Sequence, residues 1–278
     1  MKINNLGLLA FYHAAMKLHM TEAASLLGIT QSALSQRIKA LEDDLETTLF
    51  IREGKSLSLT DAGEDLLKFC HSQMSLEGEL LSKLRSDKGE VAGILRIAAY
   101  SSVLRSLIIP KLTPYLREHD AVTVEFSSHE VEHLYAVLKS GEADLVVSDG
   151  PMNRKGIIEK TLGQEEYVVI ESVKYSDLNK DVYLDHHAQD KVTEEFFDFQ
   201  NHIPKYRRSF MGDVYGIVEG VENGLGRAVM SKHLVLGNKK VKILNGFKKY
   251  HRPIILHYFE RPFYPRILNE VIALVTKE

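Results

Sequence analysis

The chain has 278 residues, with 35 lysines and arginines against 38 aspartates and glutamates and a formal net charge of −3 at pH 7. That length accommodates two or three domains with cores of their own, and the near-neutral balance excludes a general polycation that coats nucleic acid with its whole surface. A single cysteine, Cys70, excludes an intramolecular disulfide and a cysteine-built zinc site. No charged-then-apolar leader opens the chain and no apolar run nears the roughly 20 residues that span a bilayer, so a soluble, cytoplasmic protein is expected.

Asn4 and Asn5 are placed to cap a first helix running to about Leu18, with Leu8, Phe11, Ala15 and Leu18 on one face. The stretch Thr21-Glu22-Ala23-Ala24-Ser25-Leu26-Leu27-Gly28 reads as a short helix with Thr21 as its cap. Ala23 and Ala24 are small enough for a second helix to cross closely, Gly28 supplies a tight turn, and Ile29 plugs the corner. A second helix, Gln31 to about Leu45, comes next with Thr30 as N-cap and Leu34, Ile38, Leu41 and Leu45 facing the core. Its other face carries Gln31, Ser32, Ser35, Gln36, Arg37 and Lys39, and no acid until Glu42, after which come Asp43, Asp44 and Glu46. Gln and Arg have the forked donors and acceptors that read adenine and guanine edges in a major groove.

Leu49-Phe50-Ile51-Arg52 and Leu57-Ser58-Leu59 read as two short strands joined by Glu53-Gly54-Lys55-Ser56, a wing. On duplex DNA, Gln31, Ser32, Ser35 and Gln36 are expected at base edges, with Arg37 on a base or a phosphate. Thr21, Lys39 and Arg52 are expected on the backbone, and Lys55 in the minor groove. Thr60 then caps a long helix to about Ser86. Leu67, Met74 and Leu81 recur at seven residues, as do Cys70, Glu77 and Leu84, a seam that pairs helices and is interrupted by Glu77. Gly78 within it costs roughly 1 kcal/mol against Ala, which a close helix crossing would explain. Residues 61–89 are therefore expected to dimerise through Leu67, Cys70, Met74, Leu81 and Leu84, with Cys70 a small buried hydrophobe and 86–90 a polar break.

Strands then alternate with helices: strand 94–98, a helix 103–118 bent or broken by Pro110 and Pro114, strand 122–126, helix 129–139 and strand 145–148. This order implies a parallel sheet covered by helices. A second set comes after it, with strands at 167–170, 182–184, 227–230 and 254–258 and helices near 194–199, 212–223 and 265–275.

The spaced residues Thr21-x-Ala23-Ala24-x-x-Leu27, Gln31-x-Ala33-x-Ser35, Ile38-x-x-Leu41-Glu42, Leu49-Phe50-x-Arg52 and Leu59-Thr60-x-Ala62-Gly63 resemble the N-terminal signature of LysR-type transcriptional regulators. The chain departs from that family at Glu46, where Gly is usual, at Ser32, where Pro is usual, and at Gln36-Arg37, where Arg-Gln is frequent; the last two imply an altered operator preference. A looser likeness continues in Leu138-x-x-Gly141-x-x-Asp144-Leu145 and Val221-x-x-Gly224-Leu225-Gly226, with the Pro usual after the latter replaced near Ser231. The resemblance implies an N-terminal winged helix-turn-helix (1–60), a linker helix (61–89) and an α/β two-lobed periplasmic-binding-protein-like effector domain. Lobe I would take 90–162 and 259–278, and lobe II 163–258. It implies a sequence-specific transcriptional regulator, dimeric or tetrameric, whose partners are double-stranded DNA, a small-molecule effector and RNA polymerase, and whose effector changes the angle between bound half-dimers.

The effector is expected at the carboxyl ends of the strands between the lobes. Tyr100, Ser101 and Ser102, with the open amides of a helix start, offer a seat for a carboxylate or another anion, or else Ser102 is only a cap. Ser127 and Ser128, Ser148 and Asp149, and Phe210 and Met211 occupy comparable positions. Arg207 and Arg208 either neutralise an acidic effector or form a solvated face. His129-Glu130-x-x-His133 matches the two-histidine zinc motif. No evident third ligand is at hand, Glu159 being the nearest carboxylate beyond Asp149, and Val131, Leu134 and Leu138 point the other way, so these histidines are expected to face solvent or lie at the cleft edge. His186 and His187 read as a solvated loop pair. No cofactor, metal site or enzymatic activity is expected. The alternatives are an architectural DNA-binding protein without effector, and a zinc hydrolase using His129, Glu130 and His133.

Overall fold

The computed structural model describes residues 4–53, 56–85 and 91–277. Three helices open the chain: α1 (Asn5–Lys17), α2 (Met20–Leu26) and α3 (Gln31–Leu45). Asn4 caps α1, its side chain accepting the Leu6 amide at 2.9 Å. Leu18 closes that helix in a left-handed conformation, φ 46°, which turns it out to solvent instead of into the core. The chain therefore reverses earlier than the pattern implies, and the cap of α2 is His19, not Thr21: His19 Nδ1 accepts the Glu22 amide at 3.3 Å. Thr30 does cap α3, accepting the Ala33 amide at 3.2 Å.

Leu34, Ile38 and Leu41 close over Phe11, Ala14, Ala23 and Ala24. Gly7 lets α1 lie on α3, where an added Cβ would meet Leu41 Cβ at 3.2 Å and the Arg37 carbonyl at 3.3 Å. Glu42 ties α3 to the first strand of the wing: its Oε1 accepts the amides of Leu49 at 2.7 Å and Phe50 at 3.4 Å. This seats β1 (Phe50–Glu53), which pairs antiparallel with β2 (Ser56–Leu59) from Phe50 opposite Leu59 to Glu53 opposite Ser56.

Thr60 caps α4 (Asp61–Arg85) as anticipated, accepting the Gly63 amide at 3.0 Å and donating to the Thr48 carbonyl at 2.7 Å. The seam is placed differently from the sequence expectation. Leu67 and Cys70 are only 2% and 3% exposed because α4 leans back over the first three helices, so both are spent inside this chain's own core. Burial pushes the Cys70 thiol up to about 12, which keeps it protonated and inert. Met74 is exposed, together with Phe69, Leu76 and Leu80, and the side chains of Leu81 and Leu84 lie outside the described residues. No described atom lies within 4 Å of a Cβ built on Gly78, so no close crossing within the chain explains that glycine. The same helix docks on the second half of the chain. His71 Nε2 and the Ser140 carbonyl are 2.9 Å apart, Lys139 pairs with Glu64, and a Cβ on Gly141 (φ +74°) would collide with the His71 ring.

Beyond residue 91 come β3 (Gly93–Ala99), α5 (Ser101–Val103), a π-helical segment (Leu104–Ile108), α6 (Ile109–Glu118), β4 (Val122–Ser128), α7 (Val131–Ser140) and β5 (Leu145–Ser148). Pro110 and Pro114 do not break the helical run. The π-helical segment sits directly ahead of Pro110, which falls in the first turn of α6, where a missing N–H costs little. Helix α7 starts at Val131, so His129 and Glu130 lie before it in extended chain. The long β6 (Ile157–Ser172) leads into β7 (Val182–Asp185), α8 (Val192–Gln200), β8 (Arg207–Phe210), α9 (Val214–Glu222), β9 (Ala228–Ser231), β10 (Val241–Ile243), the second long strand β11 (Tyr250–Phe259) and α10 (Arg266–Thr276).

The main sheet runs β10-β6-β11-β5-β3-β4, with β9 also on β6. Strand β3 is parallel to β4 and β5, whereas β11 is antiparallel to β5 and β6. Strands β6 and β11 pair from Tyr167 opposite Tyr250 to Ile157 opposite Phe259, with a register shift between Ile254 and Ile255. Their length serves two cores, one around Leu95, Ile97, Leu112, Leu256 and Val271 (lobe I), the other around Ile170, Leu184, Ile217 and Val221 (lobe II). The result is the expected winged helix-turn-helix followed by a two-lobed α/β unit.

This packing carries two testable consequences. Glu46 closes α3 at φ 51° and puts a carboxylate at the helix's negative end. Both features are unfavourable for a non-glycine acid, so Glu46→Gly is expected to raise stability by about 1 kcal/mol in urea denaturation. Ser148 donates to the Gly150 carbonyl at 2.7 Å and so accepts from His257 Nε2 at 2.8 Å. Burial lowers the His257 pKa below its ordinary 6.5, and does the same to His71 and His13. Folding thus favours neutral rings, a contribution intact above pH 6.5 and lost as pH falls below it. Thermal midpoints are expected to drop between about pH 7 and pH 5, ahead of the carboxylate range, and to drop less in His257→Gln.

Candidate nucleic-acid interface and interlobe cleft

On α3, Gln31, Ser32, Gln36 and Lys39 are exposed, and Ser35 and Arg37 half-buried. Thr21 Oγ1 comes within 3.4 Å of Gln31 Oε1, which brings the first turns of α2 and α3 together. Ser32 Oγ lies 3.0 Å from Thr30 Oγ1 and so shares its hydroxyl with the helix cap. Among the described residues no carboxylate pairs with Arg37, Lys39 or the exposed Arg52, so all three guanidinium and ammonium groups remain open to phosphate. Lys55 lies outside the described residues.

A cleft of about 540 Å³ opens between the lobes. Its floor is set by Glu165 of β6, which stands directly opposite Arg252 of β11. Glu165 is 4% exposed and is surrounded by donors, Tyr100 at 2.9 Å, Tyr167 at 3.4 Å and Ser231 at 3.1 Å, and Ser231 Oγ in turn accepts from His233 Nδ1 at 2.6 Å. Burial first, and the Glu165 charge second, hold the Tyr100 and Tyr167 phenols well above their ordinary range, so they serve as proton donors and not as acids. Arg252 Nη1 reaches Asp149 at 2.7 Å, its Nη2 reaches Glu195 at 2.6 Å, and its guanidinium lies over the Tyr167 ring.

Of the residues singled out in the sequence, Tyr100, Ser101, Ser102, Ser128 and Asp149 line this cleft. His129, Glu130, His186 and His187 also line it, whereas Ser127, Ser148, Phe210, Met211, Arg207 and Arg208 do not, for definite reasons. Ser127 points to the opposite face of β4 from Ser128 and contacts His129 Nε2 at 3.0 Å. Ser148 is buried with His257. Phe210 lies under Arg208 on the outside, and Met211 packs into the lobe II core beside Gly220. Arg207 pairs with Asp181 and Arg208 with Asp185, so neither arginine faces a ligand. His129 and His133 do not form the two-histidine motif, since only His133 is on α7 and His129 precedes it. Glu159 accepts the amides of Met152 and Asn153 at 2.8 and 3.0 Å, a turn-holding role.

Sequence reasoning missed Glu165, Tyr167, Ser231, Arg252, Asp190 and Glu195 and took His186 and His187 for a solvated loop pair, whereas all of them meet at the cleft or its floor. A charged residue embedded in a strand was the available signal: Glu165 and Arg252 sit in runs that lack the apolar pattern by which strands are recognised.

A family model described as "Bacterial regulatory helix-turn-helix protein, lysR family" matches residues 7–64, and one described as "LysR substrate binding domain" matches residues 88–277. A putative transcriptional regulator of Pseudomonas aeruginosa is 40% identical over 126 residues, 45% of this chain and 41% of that one. The chain spans about half the length of the first curated relatives it matches. Among solved structures, ArgP from Mycobacterium tuberculosis superposes with a TM-score of 0.78 at 19% identity, covering 99% of this chain and 97% of that one. LysG from Corynebacterium glutamicum with bound effector Arg gives 0.74 at 20% identity, covering 98% and 96%. At such identities the superpositions show the fold alone. With the two family matches covering most of its length, the chain belongs to the LysR family of bacterial regulatory helix-turn-helix proteins.

Proposed function

We propose that this chain regulates transcription by binding a specific duplex through α3 and that a small cationic or zwitterionic effector in the interlobe cleft sets its output. The observation that carries the first part is the exposed polar face of α3, on a helix held from behind by Leu34, Ile38, Leu41 and Glu42. Gln31, Ser32, Ser35 and Gln36 are assigned to bases and Arg37 to a base or a phosphate, with Thr21, Lys39 and Arg52 on the backbone. Lys55 of the wing is assigned to the minor groove. The exposed stripe Phe69, Leu76 and Leu80 replaces the buried Leu67 and Cys70 as the face that pairs α4 with a second copy. Pairing of lobes into a tetramer, contact with RNA polymerase and an absence of catalysis belong to the same reading, as does the division of the chain at residues 60, 89, 162 and 258.

The cleft supports the effector's chemistry. Glu130, Glu132, Asp149, Asp190, Glu195 and Asp213 line it against Lys191 and Arg252, an acidic balance that favours a positively charged ligand. The open amides at the start of α5 sit in the same space and suit a carboxylate, which together describe a basic amino acid. The bound arginine of the LysG structure is consistent with that class.

Fluorescence anisotropy against the chain's own upstream duplex and a scrambled one tests the DNA assignment. Gln36→Ala is expected to cost about 1–3 kcal/mol on the upstream duplex alone and to relax its specificity. Lys39→Ala is expected to weaken both duplexes alike and to lower the salt slope by about 1; equal binding to both duplexes by the unaltered chain would instead favour the architectural reading. Thermal shift tests the effector: arginine or lysine is expected to raise the melting temperature in proportion to the logarithm of its concentration, and glutamate to leave it unchanged. Stabilisation by glutamate alone would overturn the charge argument.

A further inference from the structure

Four side chains at the mouth of the cleft have no part in the DNA assignment. Glu130 and Glu132 come from lobe I, just before and within the first turn of α7; His186 and His187 come from the loop after β7 in lobe II. His186 Nδ1 lies 3.1 Å from Glu130 Oε2, and His187 Nε2 lies 3.8 Å from both Glu130 Oε2 and Glu132 Oε1. We propose that Glu130, Glu132, His186 and His187 form a binding site for a divalent transition cation of the zinc type, which bridges the two lobes across the cleft mouth.

The distances fit. A tetrahedral ion with bonds of about 2.1 Å holds its ligand atoms about 3.4 Å apart, and the measured separations of 3.1 and 3.8 Å lie on either side of that edge length. One ligand atom from each of Glu130, His186 and His187 already falls within 4.8 Å of the other two, so little movement is needed to close on an ion. The donor set also selects. Two imidazoles with two carboxylates suit zinc and its neighbours in the first transition row, whereas calcium and magnesium take oxygen donors.

Charge and anchoring point the same way. Among the described residues no lysine or arginine pairs with Glu130 or Glu132; their only ion-pair partners are the two histidines, and a dication would neutralise both acids. Neither nitrogen of His187 is taken up by a hydrogen bond, Nδ1 being buried without a partner among the described residues and Nε2 facing the carboxylates. The loop that carries the histidines is held from behind. Asp190 accepts the His186 amide at 3.1 Å, and Arg208 donates to the carbonyls of His187 and Ala188 at 3.5 and 3.3 Å.

This arrangement differs from the H-E-x-x-H reading of the sequence. His129 is turned to Ser127, His133 is exposed on α7, and Glu130 serves as a ligand beside histidines some 55 residues away in the chain. With two ligands on each lobe, a bound cation fixes the lobes' closure. The site stands on its own geometry and does not depend on which organic effector the deeper cleft takes.

The test uses the untagged full-length chain, stripped with a chelator and titrated with cobalt(II). A visible absorption band of tetrahedral intensity is expected to saturate at about one ion per chain and to be abolished by zinc(II). His186→Asn and His187→Asn are each expected to weaken cobalt binding on the order of 100-fold, and the isosteric Glu130→Gln at least about tenfold. His133→Asn is expected to leave it unchanged. Melting curves in chelator report that each variant is folded, and DNA binding of the stripped chain, read in the same preparation, separates a failure here from a failure of the regulator assignment. An unaltered chain that gives no tetrahedral band, or histidine variants that bind as the unaltered chain does, would overturn the proposal. So would loss of the site in His133→Asn with retention in His187→Asn.

Discussion

The effector half depends on one buried carboxylate and the arginine that faces it. Glu165 and Arg252 stand opposite each other where β6 and β11 cross from one lobe to the other. A carboxylate so enclosed is tolerable only if hydrogen bonds replace its water, and its donors come from both sides: Tyr100 from lobe I and Ser231, itself held by His233, from lobe II. Arg252 repeats the pattern, reaching Asp149 at the end of β5 and Glu195 on α8. The polar groups at the cleft floor are therefore satisfied together only when both lobes sit against the same two strands.

The N-terminal half uses the same device in smaller form. Glu42, the acid that ends the DNA-suited face of α3, accepts two backbone amides of the strand that begins the wing. Helix, wing and α4 are thereby joined at polar contacts as well as through the apolar core. Helix α4 then meets lobe I through His71, whose ring occupies the space left by the missing side chain of Gly141. A continuous packed path thus runs within one chain from the polar face of α3 to the sheet that carries Tyr100 and Asp149. Whether coupling travels along it is a question of energy, and the contacts are the necessary physical substrate.

Much of the N-terminal architecture was legible because it rests on local chemistry. Thr30 and Thr60 are caps that accept amides three residues on, and the apolar spacing of α3 matches the residues that the core buries. The parallel β3, β4 and β5 were legible for the same reason, as short apolar runs divided by helices. The start of α2 was misplaced by two residues because His19 is an uncommon cap and Leu18 an uncommon left-handed residue. The linker seam was misassigned because seven-residue spacing states which residues share a face and says nothing about which neighbour covers it. Leu67 and Cys70 fit a two-helix seam and a three-helix core equally well.

Strands β8 and β10 were not legible at all, the first being Arg-Arg-Ser-Phe and the second three residues long; each forms because a partner strand offers it hydrogen bonds. The polar ends of β6 and β11 escaped for the same reason. By itself the sequence determined the helix-turn-helix, the polar face of α3, the long α4 and the alternating α/β order, since caps, periods and turn glycines act within a few residues of each other. Tertiary structure alone decided which face of α4 stays open, which of two adjacent serines meets the cleft, and that Glu165 meets Arg252 while Glu130 meets His186. Those pairings join residues far apart in the chain, and only the crossing of two long strands brings them within reach.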